Sequence, residues 1–166
     1  VVFWLPTYIN QHLGFAADTS ATIFTVATFA ISFTAFIAVF IYEKLGHDID
    51  KTVLLMFSCA VVFFTLTYFV ELPVLNIICI VLAIMSSNGA ASMLWSRYCP
   101  SLRDTGMVST ATGFLDFVSY MAAATANLIF ANAVGDIGWK NLILVWIGLM
   151  ILGVVVALPY KKRKLV

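Results

Sequence analysis

Apolar residues run through this chain in long unbroken blocks, and the charged residues fall between the blocks. Uncharged stretches occupy residues 19 to 42, 52 to 70, 72 to 96, 117 to 135 and 141 to 160. A bilayer core about 30 Å thick is crossed by about 20 residues of helix, so each stretch has the length of one membrane span. The pattern predicts helices over 1–13, 18–43, 51–71, 73–97, 105–134 and 139–160. The first is too short to cross a bilayer and reads as the end of a helix that begins before Val1. Chain-breaking residues stand at the predicted ends: Gly46, Pro73 just inside a helix start, Pro100, the pair Gly135 and Gly138, and Pro159. The expected fold class is all-α: a polytopic transmembrane helix bundle filling residues 1–166 as one unit, with no soluble domain and no long linker.

Composition agrees with the pattern. Apolar residues make up 63% and charged residues 10% of the chain, against about 45–50% and about 25% in soluble domains. A net charge of +1 gives no footprint for nucleic acid, so no nucleic-acid partner is expected. The basic residues carry topology instead. Lys44 and Lys51 lie in one predicted loop, Arg97 and Arg103 in the next but one, and Lys161, Lys162, Arg163 and Lys164 follow the last helix, whereas the alternate loops hold only Lys140. Basic residues concentrate on the cytoplasmic side of membrane proteins. The expected location is therefore a cell membrane, plasma or inner, with the C-terminus in the cytoplasm. The N-terminus lacks the basic start and small-residue cleavage site of a signal peptide. Cys59, Cys79 and Cys99 show neither C-x-x-C nor Cys/His spacing, and read as small buried apolar residues.

Polar content sorts the helices. The helix at 51–71 carries little beyond Ser58, Thr65 and Thr67, and the one at 139–160 has no Ser or Thr, so both are expected at the periphery, against lipid. Residues 18–43 carry Thr22, Thr25, Thr28, Ser32 and Thr34, and residues 73–97 carry Ser86, Ser87, Asn88, Ser92 and Ser96. In 105–134, Thr112, Asp116, Ser119, Ala123 and Asn127 recur at steps of three and four and share one helix face. Asp116 lies about 18 Å beyond Asp104 at 1.5 Å per residue. A carboxylate at that depth costs about 2.5–3.5 kcal/mol and needs a partner, water or a proton. Two readings follow: a proton-coupling group or counter-ion, or a group that only bonds a neighbouring helix.

Other polar features carry similar pairs of readings. Ala122, Ala123, Ala124 and Ala126 form a small-residue surface suited to close helix packing. Asn88, Ser92 and Trp95 share a face that fits a cavity wall, with Trp95 equally suited to anchoring at the lipid interface. Thr25, Thr28 and Ser32 form a weaker stripe, because hydroxyls satisfy themselves on their own backbone. Tyr8, Asn10, Gln11 and His12 read as a solvated helix end, and His47 as a surface residue. No nucleophile–base pair, phosphate loop or metal-ligand spacing occurs, so neither an enzyme nor a cofactor is expected.

The chain as a whole resembles the C-terminal six-helix half of a major facilitator superfamily transporter. The residues that carry the resemblance are W-L-P-T-Y at Trp4 to Tyr8, Y-E-K-L-G at Tyr42 to Gly46, G-M-V-S-T-A-T-G-F-L-D-F-V-S-Y at Gly106 to Tyr120, and G-D-I-G-W at Gly135 to Trp139. The family's loop signature falls on Val39 to Asp48, with Glu43, Lys44 and Gly46 at matching positions and Val39, His47 and Asp48 departing from it. The resemblance implies half of a major facilitator fold, from the end of the seventh helix through the twelfth, with the ninth and twelfth peripheral. The helix after Gly106 and the G-D-I-G-W segment are similar to organophosphate:phosphate antiporters and sugar-phosphate permeases. That implies an organic anion or sugar phosphate as solute, although those relatives hold phosphate with basic residues and no Arg or Lys lies inside a predicted span here.

The expected activity is secondary transport of a small solute by alternating access, as symport or antiport, coupled to protons or phosphate. This half would work against an N-terminal half around a midplane cavity. Asp116, Asn88, Ser92, Thr112, Ser119, Asn127, Thr25 and Ser32 are the candidate pathway residues, and Glu43, Lys44 and Gly46 the candidate loop motif. A membrane solute sensor or assembly subunit on the same scaffold is the alternative, and a polytopic enzyme completed by residues outside this chain is a third reading.

Overall fold

The computed structural model describes residues 2–158. The predicted Pro159 stop and the basic cluster Lys161, Lys162, Arg163 and Lys164 lie outside the described residues. Helices are the only regular structure among those described. A short 3-10 turn, Val2–Trp4, leads into α1 (Leu5–Gln11), followed by α2 (Ala17–Ser32), α3 (Thr34–Lys44), α4 (Ile49–Phe69) and α5 (Pro73–Met93). A five-residue π-helical segment, Leu94–Tyr98, carries α5 into the single turn α6 (Cys99–Ser101), and α7 (Val108–Ala157) completes the chain.

The helix at 18–43 is broken once. Around Phe33 the hydrogen bonds tighten to a 3-10 pattern, with Phe33 N donating to Ala30 O at 3.1 Å. Just before the break, Ser32 Oγ donates to Thr28 O at 3.0 Å, a side-chain bond that bends helices. Four helical stretches are long and apolar enough to cross a membrane: Ala17–Lys44, Ile49–Phe69, Pro73–Ser101 and Val108–Ala157. The protein is thus a bundle of long apolar helices of the membrane type.

The fourth stretch has 50 residues, about 75 Å of helix at 1.5 Å per residue, more than twice the bilayer core. Gly138 divides it, with φ 74° and ψ 166°. A turn over Gly135 to Gly138 was expected, but Gly135 stays helical and Gly138 alone makes the bend, in a backbone region open to a residue without Cβ. The two limbs, 108–137 and 139–157, fold back on each other. Phe130 and Trp146, eight positions either side of Gly138, have ring centroids 6.2 Å apart, where a straight helix would separate them by about 24 Å.

The core lies between α4, α5 and the second limb. α4 buries Val53, Met56, Ala60, Phe64 and Thr67 along one face, and the second limb buries Trp139, Leu142, Ile143 and Trp146. These two helices, expected at the periphery, provide much of this chain's core. Their opposite faces, with Leu55, Val62, Leu66 and Phe69 on one and Leu144, Val145, Leu149, Leu152 and Val156 on the other, are exposed and apolar. Such faces suit lipid. Where α5 crosses α4, Gly89 permits close contact, since a Cβ there would lie 2.5 Å from Met56 Cε and 3.5 Å from Thr34 Cγ2.

The ends of the helices sort as the loops predicted. Arg97 stacks on Tyr42, with its guanidinium carbon 5.0 Å from the ring centroid, at the end that also holds Lys44 and Lys51. At the other end, His12, Glu71 and Lys140 line one pocket.

Candidate functional site

The candidate site is built on the π-helical segment at the end of α5. One extra residue per turn rotates the following side chains relative to a regular helix, and such bulges recur at functional sites. Within the segment, Trp95 contacts the first limb of α7 and Arg97 contacts α3. Trp95 Nε1 donates to Asp116 Oδ1 at 2.9 Å. Trp95, open to an interfacial-anchor reading in the sequence, is therefore a hydrogen-bond partner of Asp116.

Beside this pair lies an open groove of about 490 Å³. Ser32, Thr34 and Ala35 line one side, and Asn88, Ser92, Trp95 and Ser96 the other. Three candidate residues from two separate stretches, Ser32, Asn88 and Ser92, thus meet, and Trp95 ties Asp116 to the same place. Thr34, named among the hydroxyls of its helix but not among the candidates, is 4% exposed, and its Oγ1 has no hydrogen-bond partner.

The other candidates do not join this groove. Thr25 Oγ1 donates to Ala21 O at 2.9 Å on an exposed face, and Thr112 Oγ1 donates to Val108 O at 2.9 Å. Ser119 is exposed on the first limb. Asn127 accepts from Trp4 Nε1 at 3.0 Å, far along the same limb from Asp116. The stripe predicted for 105–134 thus meets other helices through two indoles, Trp95 at Asp116 and Trp4 at Asn127. Between those two points the limb is largely exposed, and the alanine surface at Ala122, Ala123 and Ala124 has no close-packed neighbour among the described residues.

The loop motif has a structural role. Gly46, at φ 70°, follows the end of α3, and His47 N donates to Tyr42 O at 3.0 Å while Gly46 N donates to Glu43 O at 3.2 Å. That is the paired closure of a Schellman cap, in which glycine takes the left-handed position. Glu43 is exposed, and Lys44 Nζ lies 5.1 Å from the Phe40 ring centroid. Asp48 then caps α4, accepting from Lys51 N at 3.0 Å and pairing with Lys51 Nζ at 3.1 Å. Those bonds hold its carboxyl below the ordinary aspartate value, the backbone bond from Lys51 being the largest cause.

A second polar cluster, at the opposite end, departs from the sequence reading. Tyr8, expected at a solvated helix end, is fully buried. Its hydroxyl donates to Asn76 Oδ1 at 2.7 Å, and Asn76 Nδ2 donates to Thr67 O and Val70 O, both at 2.8 Å. Asn76 closes the exposed end of α4 onto the start of α5, satisfying carbonyls that a helix end leaves free. The signal for it was an amide inside an otherwise apolar run. Asn10 and Gln11 are exposed as expected. His12 sits beside Tyr8, ring centroids 5.0 Å apart, and partial burial, then the nearby Lys140 charge, pushes its pKa below the ordinary value.

The three cysteines are free, Cys79 and Cys99 buried and Cys59 half-buried. No known family model matches the chain, and no curated protein or solved structure shows significant similarity to it.

Proposed function

We propose that this chain is one half of a secondary transporter of the major facilitator type, which moves a small solute across a cell membrane by alternating access. The observation that carries the reading is the partition of polar side chains. Ser32, Thr34, Asn88, Ser92 and Trp95 share a groove at one side of the bundle, joined by Asp116, while the outer faces of α4 and the second limb are apolar. A passage needs such a wall of modest hydrogen-bonding groups, which bind a solute without trapping it. The first limb of α7, tied to its neighbours by Trp95 and Trp4, supplies the surface on which a second, N-terminal half would rock. In this reading the Lys44 loop and the C-terminus face the cytoplasm, no reaction is catalysed, and proton coupling runs through Asp116.

The test needs no knowledge of the solute. In the intact protein, with Cys59, Cys79 and Cys99 replaced by alanine, Ser92→Cys is labelled with a membrane-impermeant maleimide from either side of sealed vesicles. Alternating access predicts labelling from both sides, with each population protectable from the other. Labelling from one side alone overturns transport and favours a solute sensor on the same scaffold.

A further inference from the structure

Three serine hydroxyls along the groove spend their donors on their own helices. Ser92 donates to Asn88 O at 2.9 Å, Ser96 to Ser92 O at 2.6 Å and Ser32 to Thr28 O at 3.0 Å. A hydroxyl has one proton to donate and two lone pairs, so each of these serines has spent its donor on its own helix and keeps acceptor capacity for the groove. Asp116 does not itself line the groove but is joined to it through Trp95, which engages its Oδ1. Thr34 Oγ1 is buried and unpartnered, and its hydroxyl and the Asn88 side-chain amide keep donors as well as acceptors. Among the described residues, no Lys or Arg lines the groove. Arg97, two positions from Trp95, is turned onto the Tyr42 ring.

From a groove with the Asp116 carboxylate beside it and, among the described residues, no basic side chain in its lining, we infer that it takes a small organic cation, an aliphatic amine or diamine, with Asp116 as its counter-charge. Trp95 is a positioning residue that aims the carboxylate and offers its ring face to the ammonium. An ammonium brings three donors and a positive charge to a site that supplies the complement of both. A phosphate ester or carboxylate would instead bring a second negative charge beside Asp116, with no basic side chain in the lining among the described residues to pair it. The groove's volume lies within the range of small-molecule sites. This inference rests on the solute-binding reading above and narrows the solute away from the organic anions implied by the family resemblance.

The experiment uses the intact protein in nanodiscs and three four-carbon probes: putrescine, 1,4-butanediol and succinate. Saturable binding of radiolabelled putrescine is expected, with unlabelled putrescine competing at least about tenfold better than butanediol and succinate not competing. Asp116→Asn is expected to weaken putrescine binding about tenfold or more, and Asp116→Glu to restore part of it. Trp95→Phe, which keeps a ring but removes the N–H, is expected to fall between. The three-probe ranking on the unmodified protein stands even if Asp116→Asn fails to fold. Succinate competing better than putrescine, no saturable putrescine binding up to about 10 mM, or wild-type affinity in a folded Asp116→Asn protein would each overturn the inference. Putrescine that binds but is never exchanged across liposomes leaves the cation site standing and removes transport. Liposome uptake of an anion without putrescine binding does the reverse.

Discussion

Two polar clusters occupy opposite ends of this bundle, and they differ in how completely their hydrogen bonds are closed. At the Tyr8 end, Asn76 is 2% exposed, and its side chain makes one bond as acceptor and two as donor. At the Trp95 end, the groove is open, Asp116 has one oxygen engaged and Thr34 has none. A closed, buried network is costly to break and offers nothing to a ligand, whereas a wall with unused acceptors is ready to bind. The contrast separates a polar cluster that holds the chain together from one suited to a solute.

The largest expected effect is at the closed cluster. Asn76→Ala leaves the buried Tyr8 hydroxyl and the Thr67 and Val70 carbonyls without their partner. It should lower stability by about 3 kcal/mol, read as an earlier unfolding transition of the intact protein in detergent. A loss below about 0.5 kcal/mol would mean that Asn76 is replaceable by water and that the two clusters do not differ as described.

Trp95→Phe should cost much less, at most about 1 kcal/mol, because its bond to Asp116 is only partly buried and water can replace it. The comparison sharpens if this small stability change accompanies a clear change in binding at the groove. It breaks if the variant unfolds as readily as Asn76→Ala, for then the Trp95–Asp116 contact is a structural clamp.

The smallest effect concerns His12, at the mouth of the closed cluster. Burial and the Lys140 charge lower its folded pKa below 6.5, so the unfolded chain binds this proton more readily. Stability from His12 is fully present above about pH 6.5 and is lost as pH falls through the lower folded value. His12 is partly solvent-exposed, which keeps the effect small. His12→Asn should flatten the pH dependence of unfolding across that window, and Lys140→Gln should narrow it. An unchanged slope in His12→Asn would assign the dependence to another group.

Much of the architecture was legible before any coordinates. Five long uncharged stretches separated by charges fix helix number and approximate limits, because lipid admits helices whose backbone bonds close internally. Asp116 stood out for the same reason: a carboxylate deep in an apolar helix has to find a partner. The helix ends followed from Pro73 and Gly46, whose backbone preferences are local.

What the chain could not declare was which partners those residues meet. Asn88, Ser92 and Trp95 share the face their spacing predicted, but that Trp95 meets Asp116 on another helix follows from the approach of the end of α5 to the first limb of α7. Ser32, Asn88 and Ser92 share a groove while Thr25 does not, although Thr25 and Ser32 belonged to one stripe on the same predicted helix. Tyr8 and Asn76, 68 positions apart, form one buried network, although Tyr8 read as part of a solvated helix end and Asn76 was not singled out. Periodicity names the face of a helix. Only the assembled bundle decides what that face meets, because the pairing energy of a polar group belongs to both partners and to the water excluded between them.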